Sequence, residues 1–240
     1  MTQVSIVIPA RNEAENIGAL LDGIVAALAG APPFEIIVVD DGSSDGTAEA
    51  VRRAGEADAR IRLLRHPRSA GQSAAVHSGV RAARGRIVCT LDGDGQNPPE
   101  ELPRLAAPLL DPAAPERLAL VAGQRVARQD TWSKKTASRV ANAVRGWALK
   151  DGTRDTGCGL KAFRRDVFLT LPYFDHMHRY LPALFRRDGW EIALVDVSHR
   201  PRGGGRSNYT NIQRAVVGVT DLLGVMWLIR RRKKSEPAET

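Results

Sequence analysis

Asp92 and Asp94 stand one residue apart in Leu91-Asp92-Gly93-Asp94-Gly95-Gln96, directly after the apolar run Ile87-Val88-Cys89. Two carboxylates that close cannot both be buried and unpaired without a large cost, and a divalent cation shared with a diphosphate relieves it. Mg2+ ordinarily takes only one or two carboxylates and completes its shell with phosphate oxygens and water. Asp and Gly are also common turn residues, so D-x-D alone is equally a polar turn. A second acidic pair opens Asp40-Asp41-Gly42-Ser43-Ser44-Asp45-Gly46-Thr47. Ser44 or Asp45 is suited to cap a helix there. Capping leaves the two leading carboxylates unexplained, whereas acceptance of hydrogen bonds from a base or ribose hydroxyl explains them. Arg200, Arg202 and Arg206 surround Gly203-Gly204-Gly205, a basic loop able to close over an anionic group.

These residues act together only if the chain brings them to one place. Val4–Pro9 reads as a buried strand, and Asn12–Ala29 has helical spacing at Ile17, Leu20, Leu21, Ile24, Val25 and Leu28. Strands are predicted at Phe34–Asp40, Ile61–Arg65 and Arg86–Asp92, with helices at Thr47–Ala59 and Gln72–Ala83. This alternation predicts an α/β fold, a mostly parallel sheet with helices on both faces. Such sheets bind ligands at the carboxyl ends of their strands, where Pro9–Glu13, Asp40–Gly46 and Asp92–Gln96 all fall. Prolines from Pro98 to Pro115 then interrupt the pattern. Leu118–Ala122 and Gly189–Val197 read as strands, and Trp132–Leu149 as an amphipathic helix placing Trp132 and Trp147 in the core.

Apolar residues form 43% of the 240 and charged residues 26%, which excludes a disordered or collagen-like chain. The net charge of +8 favours anionic partners, but Arg230-Arg231-Arg232-Lys233-Lys234 supplies five of those charges. The remaining excess argues against nucleic acid as the partner. The basic run follows Ala215–Ile229, apolar apart from Thr220 and Asp221. As a helix that segment spans about 22 Å, short of a bilayer core of about 30 Å. A C-terminal amphipathic or apolar helix ending in Trp227 and basic residues suits a helix lying in an anionic leaflet, with packing on the domain as the competing expectation. Cys89 and Cys158 make no disulfide framework, and Met1-Thr2-Gln3 carries no basic leader. His176-Met177-His178 lacks a third ligand at metal-site spacing, so packing or a surface role is expected. No G-x-x-x-x-G-K-[ST] loop is present and no G-x-G-x-x-G follows the first strand, so kinase-like and dinucleotide-dependent chemistry lacks support.

Four ordered stretches, Val4–Ile17, Val38–Thr47, Gly71–Gly79 and Leu91–Pro99, together resemble the family 2 glycosyltransferases. Within them the chain is similar to the polyprenyl (dolichyl or undecaprenyl) phosphate glycosyltransferases. The resemblance runs from Val4 to about Tyr209 and includes Ala122–Arg125, Trp132–Asn142, Asp155–Gly159 and His199–Tyr209. It implies a GT-A-type nucleotide-sugar-binding catalytic domain over residues 1–210, with a membrane-associating helix and basic tail over 211–240. By position it implies donor contacts at Pro9, Arg11, Glu13, Val39, Asp41, Asp92, Gly93 and Asp94, and Mg2+ or Mn2+ at Asp92, Asp94 and Gln96. It implies phosphate or acceptor contacts at Arg125, Lys134, Ser138, Arg200, Arg202 and Arg206, with Asp92, Asp94, Arg125 and Arg202 carrying catalysis. Asp155 is expected mainly to support its turn, with some acceptor contact. Three positions depart from the common pattern: Arg11 replaces an aromatic residue, Lys134 an arginine and Asn208 a lysine.

The activity implied is inverting transfer of a sugar from a nucleotide-diphosphate sugar to a polyprenyl phosphate at the cytoplasmic membrane face. The protein would be peripheral or monotopic through its C-terminal segment. A phosphate acceptor, with a second pKa of about 6, is already largely ionised and needs positioning more than a base. Two other readings stand beside this one: a metal-dependent sugar nucleotidyltransferase, and a non-catalytic membrane or nucleic-acid binding module.

Overall fold

The computed structural model describes residues 2–126, 145–200 and 211–232. Its first half follows the expected alternation: β1 (Val4–Ala10), α1 (Ala14–Ala27), β2 (Phe34–Asp41), α2 (Thr47–Ala57), β3 (Ile61–His66), α3 (Gln72–Ala82) and β4 (Ile87–Thr90). β1 lies between β2 and β4, β3 flanks β2, and all four strands are parallel. Interior parallel strands bury both faces, which explains their unbroken apolar runs. Ile6, Ile8, Ile36 and Val38 enter one core with α1, while Val7, Ile37 and Val39 enter the other with α3.

A 3-10 turn at Pro99–Glu101 leads into α4 (Leu102–Leu110) and β5 (Leu118–Arg125). Beyond these come β6 (Lys161–Arg164), α5 (Arg165–Thr170), α6 (Leu181–Arg187), β7 (Glu191–Val197) and α7 (Asn211–Arg230). The seven strands are ordered β3-β2-β1-β4-β6-β5-β7. β6 runs antiparallel to both β4 and β5, and β7 returns parallel to β5. The reversal matters because it sets Lys161, at the start of β6, opposite Thr90, at the end of β4. The turn preceding β6 therefore reaches the edge where the D-x-D segment begins.

Several expectations are corrected. Trp147 is 77% exposed, whereas Leu149 is buried. Positions two apart on a helix point to nearly opposite sides, so the apolar spacing could not bury both. The rest of the helix expected at Trp132–Leu149, including Trp132, lies outside the described residues apart from a helical stretch at 145–149. The residue capping α2 is Gly46, without a side-chain cap. Asp45 instead accepts the Thr47 N–H at 3.0 Å and reaches across to the Ala14 N–H of α1 at 3.2 Å. β6 is absent from the sequence reading because Lys-Ala-Phe-Arg offers no apolar run.

Both cysteines are free and buried, and burial pushes the Cys89 thiol up to about 12. Helix α7 packs Leu222, Met226, Leu228 and Ile229 onto the second core. Among the described residues no helix is long and apolar enough to cross a membrane.

Gly79 marks where α3 meets the sheet: a Cβ there would lie 2.4 Å from Val7 Cγ1 and 3.2 Å from Val39 Cγ2. Gly79→Ala is expected to destabilise the fold by about 1–3 kcal/mol, read as a lower urea midpoint at unchanged slope.

Candidate functional site

Asp92 leaves the end of β4 and is held by two amides. Its Oδ1 accepts from Gln72 Nε2 at 2.8 Å and its Oδ2 from Asn97 Nδ2 at 3.3 Å. Gly159 lies directly behind it, where a Cβ would come within 2.4 Å of Oδ2 and 2.6 Å of Cγ. Glycine is therefore required for the carboxylate to occupy its place. Gly93 passes close over β1, its missing Cβ 3.2 Å from the Pro9 carbonyl. Asp94 closes its own turn by accepting the Gln96 N–H at 3.1 Å. Burial, and then the charge of Asp94, push the Asp92 carboxyl above its ordinary pKa, against the opposing influence of Lys161, Asn97 and Arg125.

The second acidic pair supports the first. Asp41 accepts from His66 Nδ1 at 2.7 Å, Ser69 Oγ at 2.7 Å, the Ala70 N–H at 2.8 Å and the Gly71 N–H at 2.9 Å. Burial alone would raise its pKa, but these hydrogen bonds outweigh it and hold the carboxyl below the usual range. Gly71 precedes Gln72, so Asp41 fixes the loop that delivers the amide to Asp92. Asp40 is fully buried, its Oδ1 accepting the Ser43 N–H at 2.9 Å. The β1 loop is stitched to the β2 loop: Ser43 Oγ accepts the Asn12 N–H, Thr47 Oγ1 the Glu13 N–H and Asn12 Oδ1 the Ser44 N–H, each at 2.9 Å.

The turn before β6, which meets Asp92 at Gly159, supplies the next part of the site. Arg125 forks onto Asp155, Nε to Oδ2 at 2.5 Å and Nη2 to Oδ1 at 2.9 Å. Buried Gln124 accepts the Arg154 and Asp155 N–H groups at 2.8 and 3.0 Å. Thr90 Oγ1 donates to the Gly159 carbonyl at 2.8 Å, and Lys161 Nζ to that of Cys158. Lys161 is only 5% exposed, and burial lowers its pKa against the raising influence of Cys158, Asp92 and Asp155. His178 sits against Ser73 Oγ with Nδ1 at 2.7 Å. Burial, then the charges of Arg179, Lys161 and His176, keep its pKa well below the ordinary value. Beside these residues is a cavity of about 360 Å³, lined among others by Pro9, Gln72, Asp92, Gly159, Lys161 and Arg179.

The structure thus brings Pro9, Gly93, Asp92, Asp94 and Gln96 to one edge of the sheet. Arg200 joins them by donating its backbone N–H to the Gln96 carbonyl at 2.9 Å, while its guanidinium pairs with Glu100. Arg11 is exposed, and Glu13 accepts from Asn16 Nδ2 at 2.7 Å. Val39 is fully buried in the second core, so its side chain packs inside the fold. Asp155 supports its turn as expected, by pairing with Arg125. Lys134, Ser138, Arg202 and Arg206 lie outside the described residues. Sequence reasoning passed over Gln72, Asn97, Gly159, Lys161 and Arg179. No motif marked Gly159 or Lys161, since β6 carries no apolar run and only Leu160 separates the two.

Residues 5–171 match the family described as glycosyl transferase family 2. The chain belongs to this family. It is 33% identical over 237 residues to the dodecaprenyl-phosphate galacturonate synthase of Rhizobium johnstonii, covering 97% of this chain and 69% of that protein. It is 37% identical over 211 residues to the undecaprenyl-phosphate 4-deoxy-4-formamido-L-arabinose transferase of Serratia proteamaculans, covering 87% of this chain and 63% of that one. The mannosyl-3-phosphoglycerate synthase of Rubrobacter xylanophilus shares the fold with a TM-score of 0.72 at 19% identity, over 100% of this chain and 79% of that one. The glucosyl-3-phosphoglycerate synthase of Mycobacterium tuberculosis, solved with Mn2+, UDP-glucose and phosphoglyceric acid, does so with 0.69 at 21% identity, over 98% and 81%.

For this glycosyltransferase, the donor set at Asp92, Asp94 and Gln96 is all hard oxygen, which suits Mg2+ or Mn2+. Among the described residues no three His, Cys, Asp or Glu side chains converge on one point. Asp92 and Asp94 offer hard-oxygen ligands of the kind such a divalent ion takes.

Two outcomes follow from this geometry. Gly159→Ala is expected to displace Asp92 and weaken nucleotide-sugar binding by at least about tenfold in calorimetry, with the fold retained. Because the Asp41 pKa is depressed on folding, its contribution is full above about pH 4 and is lost as pH falls through the folded value. Asp41→Asn is expected to lower stability by about 1–3 kcal/mol at neutral pH and to flatten that acid slope in pH-dependent urea unfolding.

Proposed function

We propose that this glycosyltransferase moves a sugar, with inversion, from a nucleotide-diphosphate sugar to a polyprenyl phosphate at the cytoplasmic membrane face. One observation carries the reading: a single cavity is lined by the Asp92 carboxylate together with the buried Lys161 and Arg179. A cavity that joins a carboxylate to fixed positive charge suits a diphosphate, whose oxygens are shared between a cation and those charges. The polyprenyl-phosphate relatives, matched over most of this chain, supply the acceptor class.

In this mechanism Asp92, Asp94 and Gln96 would hold the divalent ion, and Gln72 and Asn97 orient the Asp92 oxygens. Bound there, Mg2+ or Mn2+ supplies charge that stabilises the leaving diphosphate. Pro9 and Gly93 leave room for the nucleotide, with Arg11, Glu13 and Asp41 assigned to its surroundings by position. Arg125 fixes the Asp155 turn, and Lys134, Ser138, Arg200, Arg202 and Arg206 are assigned to the phosphates. The acceptor phosphate oxygen attacks the anomeric carbon opposite the departing diphosphate, which inverts the configuration. Residues 1–210 carry the chemistry, and 211–240 hold the protein at the membrane where soluble donor and lipid acceptor meet.

The test combines the purified chain with a panel of nucleotide sugars and undecaprenyl phosphate, with and without EDTA. Glycolipid and released nucleotide are expected together, both abolished by EDTA. Asp94→Asn is expected to lower transfer by at least about a hundredfold. Full transfer by that variant would overturn the metal assignment. Pyrophosphate release from a nucleoside triphosphate and a sugar phosphate would instead establish nucleotidyl transfer.

A further inference from the structure

Helix α3 starts without a side-chain cap of its own. Gly71, at φ 91°, precedes it, so the first turn has to be held by other parts of the chain. Asp41 accepts the Ala70 and Gly71 N–H groups. The second support comes from the 3-10 turn Met177–Arg179. Its His178 meets Ser73 twice: Nδ1 lies 2.7 Å from Ser73 Oγ, and the His178 backbone N–H donates to the same oxygen at 3.3 Å. Ser73 is buried and follows Gln72, whose amide donates to Asp92 Oδ1 at 2.8 Å.

A neutral imidazole has one donor and one acceptor nitrogen. Burial first, then the charges of Arg179, Lys161 and His176, hold the His178 pKa well below its ordinary value and keep the ring neutral. The Ser73 hydroxyl proton has His178 Nδ1 as its sole acceptor among the described residues. It therefore donates to Nδ1, which assigns the ring proton to Nε2. We infer that His178 is a positioning residue of the donor site. Through Ser73 it holds the first turn of α3, so that the Gln72 amide stays on Asp92.

A positioning group must itself be fixed, and this turn is. His176 has φ 64°, a left-handed conformation that residues other than glycine keep only where their surroundings enforce it. Asp175 Oδ1 accepts its N–H at 2.8 Å, and Asp221 of α7 lies 2.9 Å from its Nδ1. Met177 and Tyr180 are buried in the second core. Asp175 Oδ1 also comes within 3.4 Å of where a Gly71 Cβ would stand, so the segment leading into the turn closes on the start of α3.

Packing alone does not call for an imidazole at this position. An apolar side chain of similar size would fill the space but leave the buried Ser73 hydroxyl without its acceptor. The same turn puts His178 and Arg179 in the lining of the cavity. One fixed turn thus sets both the Gln72–Asp92 contact and the place of the Arg179 charge. The consequence for donor binding rests on the proposed function, whereas the hold on Gln72 does not.

The test uses three variants of the full chain. His178→Leu removes the acceptor, His178→Asn keeps one because its amide oxygen can take the place of Nδ1, and Ser73→Ala removes only the hydroxyl. Crystal structures without ligand read the contact directly. Gln72 Nε2 is expected to leave Asp92 Oδ1 in His178→Leu and Ser73→Ala and to stay on it in His178→Asn. With Mn2+ and the nucleotide sugar that wild type uses fastest, the first two are expected to raise the donor KM at least about tenfold. The KM for undecaprenyl phosphate is expected to stay unchanged, and His178→Asn to restore the donor KM. Adding Gln72→Ala to His178→Leu is expected to cause no further loss, because both act through one contact. An intact Gln72–Asp92 contact in both His178→Leu and Ser73→Ala would overturn the inference. So would losses that multiply in the His178→Leu/Gln72→Ala variant, or a His178→Asn enzyme as impaired as His178→Leu. Displacement of Gln72 in these variants, with a wild type that transfers no sugar from any nucleotide, would uphold the positioning role and contradict the proposed function.

Discussion

Placing Asp92 beside Asp94 at the end of a buried strand is electrostatically costly, and the surrounding architecture is organised around holding that pair. Two neutral amides orient Asp92 without neutralising it. Lys161 and Arg125 offset part of its charge. Gly159 gives it room that no other residue would leave. The reversed strand β6 brings Gly159 and Lys161 to this edge, so a topological irregularity is what completes the site. The pair remains under-compensated, which is the condition a cation and diphosphate would relieve.

The two acidic motifs divide the labour. Asp92 lines the cavity, whereas Asp41 is saturated by hydrogen bonds within the protein. Its effect reaches Asp92 through Gly71 and Gln72. A donor group placed on Asp41 would have to replace one of those four contacts, so its influence on ligand binding is largely positional.

Much of this was legible in the sequence. Short continuous apolar runs alternating with helical spacing marked β1 to β4 and α1 to α3, and the carboxyl-edge rule put the acidic loops together. β6 was not legible, since its four residues become a strand only through pairing on both sides. Trp147 was misplaced because helical spacing defines a stripe without deciding which residues at its margin meet solvent. Gln72, Asn97 and Lys161 carry no motif of their own, and their roles emerge only from distances to Asp92 and its neighbours. The apolar tail posed a choice between lipid and protein, and α7 packs one side on the core while Val219, Leu223 and Trp227 stay exposed on the other.

The central claim is that Asp92 and Asp94 form half of a cation site that the donor diphosphate completes. The most direct measurement is titration of Mn2+ into the protein, followed by electron paramagnetic resonance, with and without a saturating nucleoside diphosphate. The account requires weak Mn2+ binding alone, much tighter binding with the nucleotide, and a reciprocal gain in nucleotide affinity with Mn2+. Equal Mn2+ affinity in the two conditions, or nucleotide binding indifferent to the ion, would contradict it.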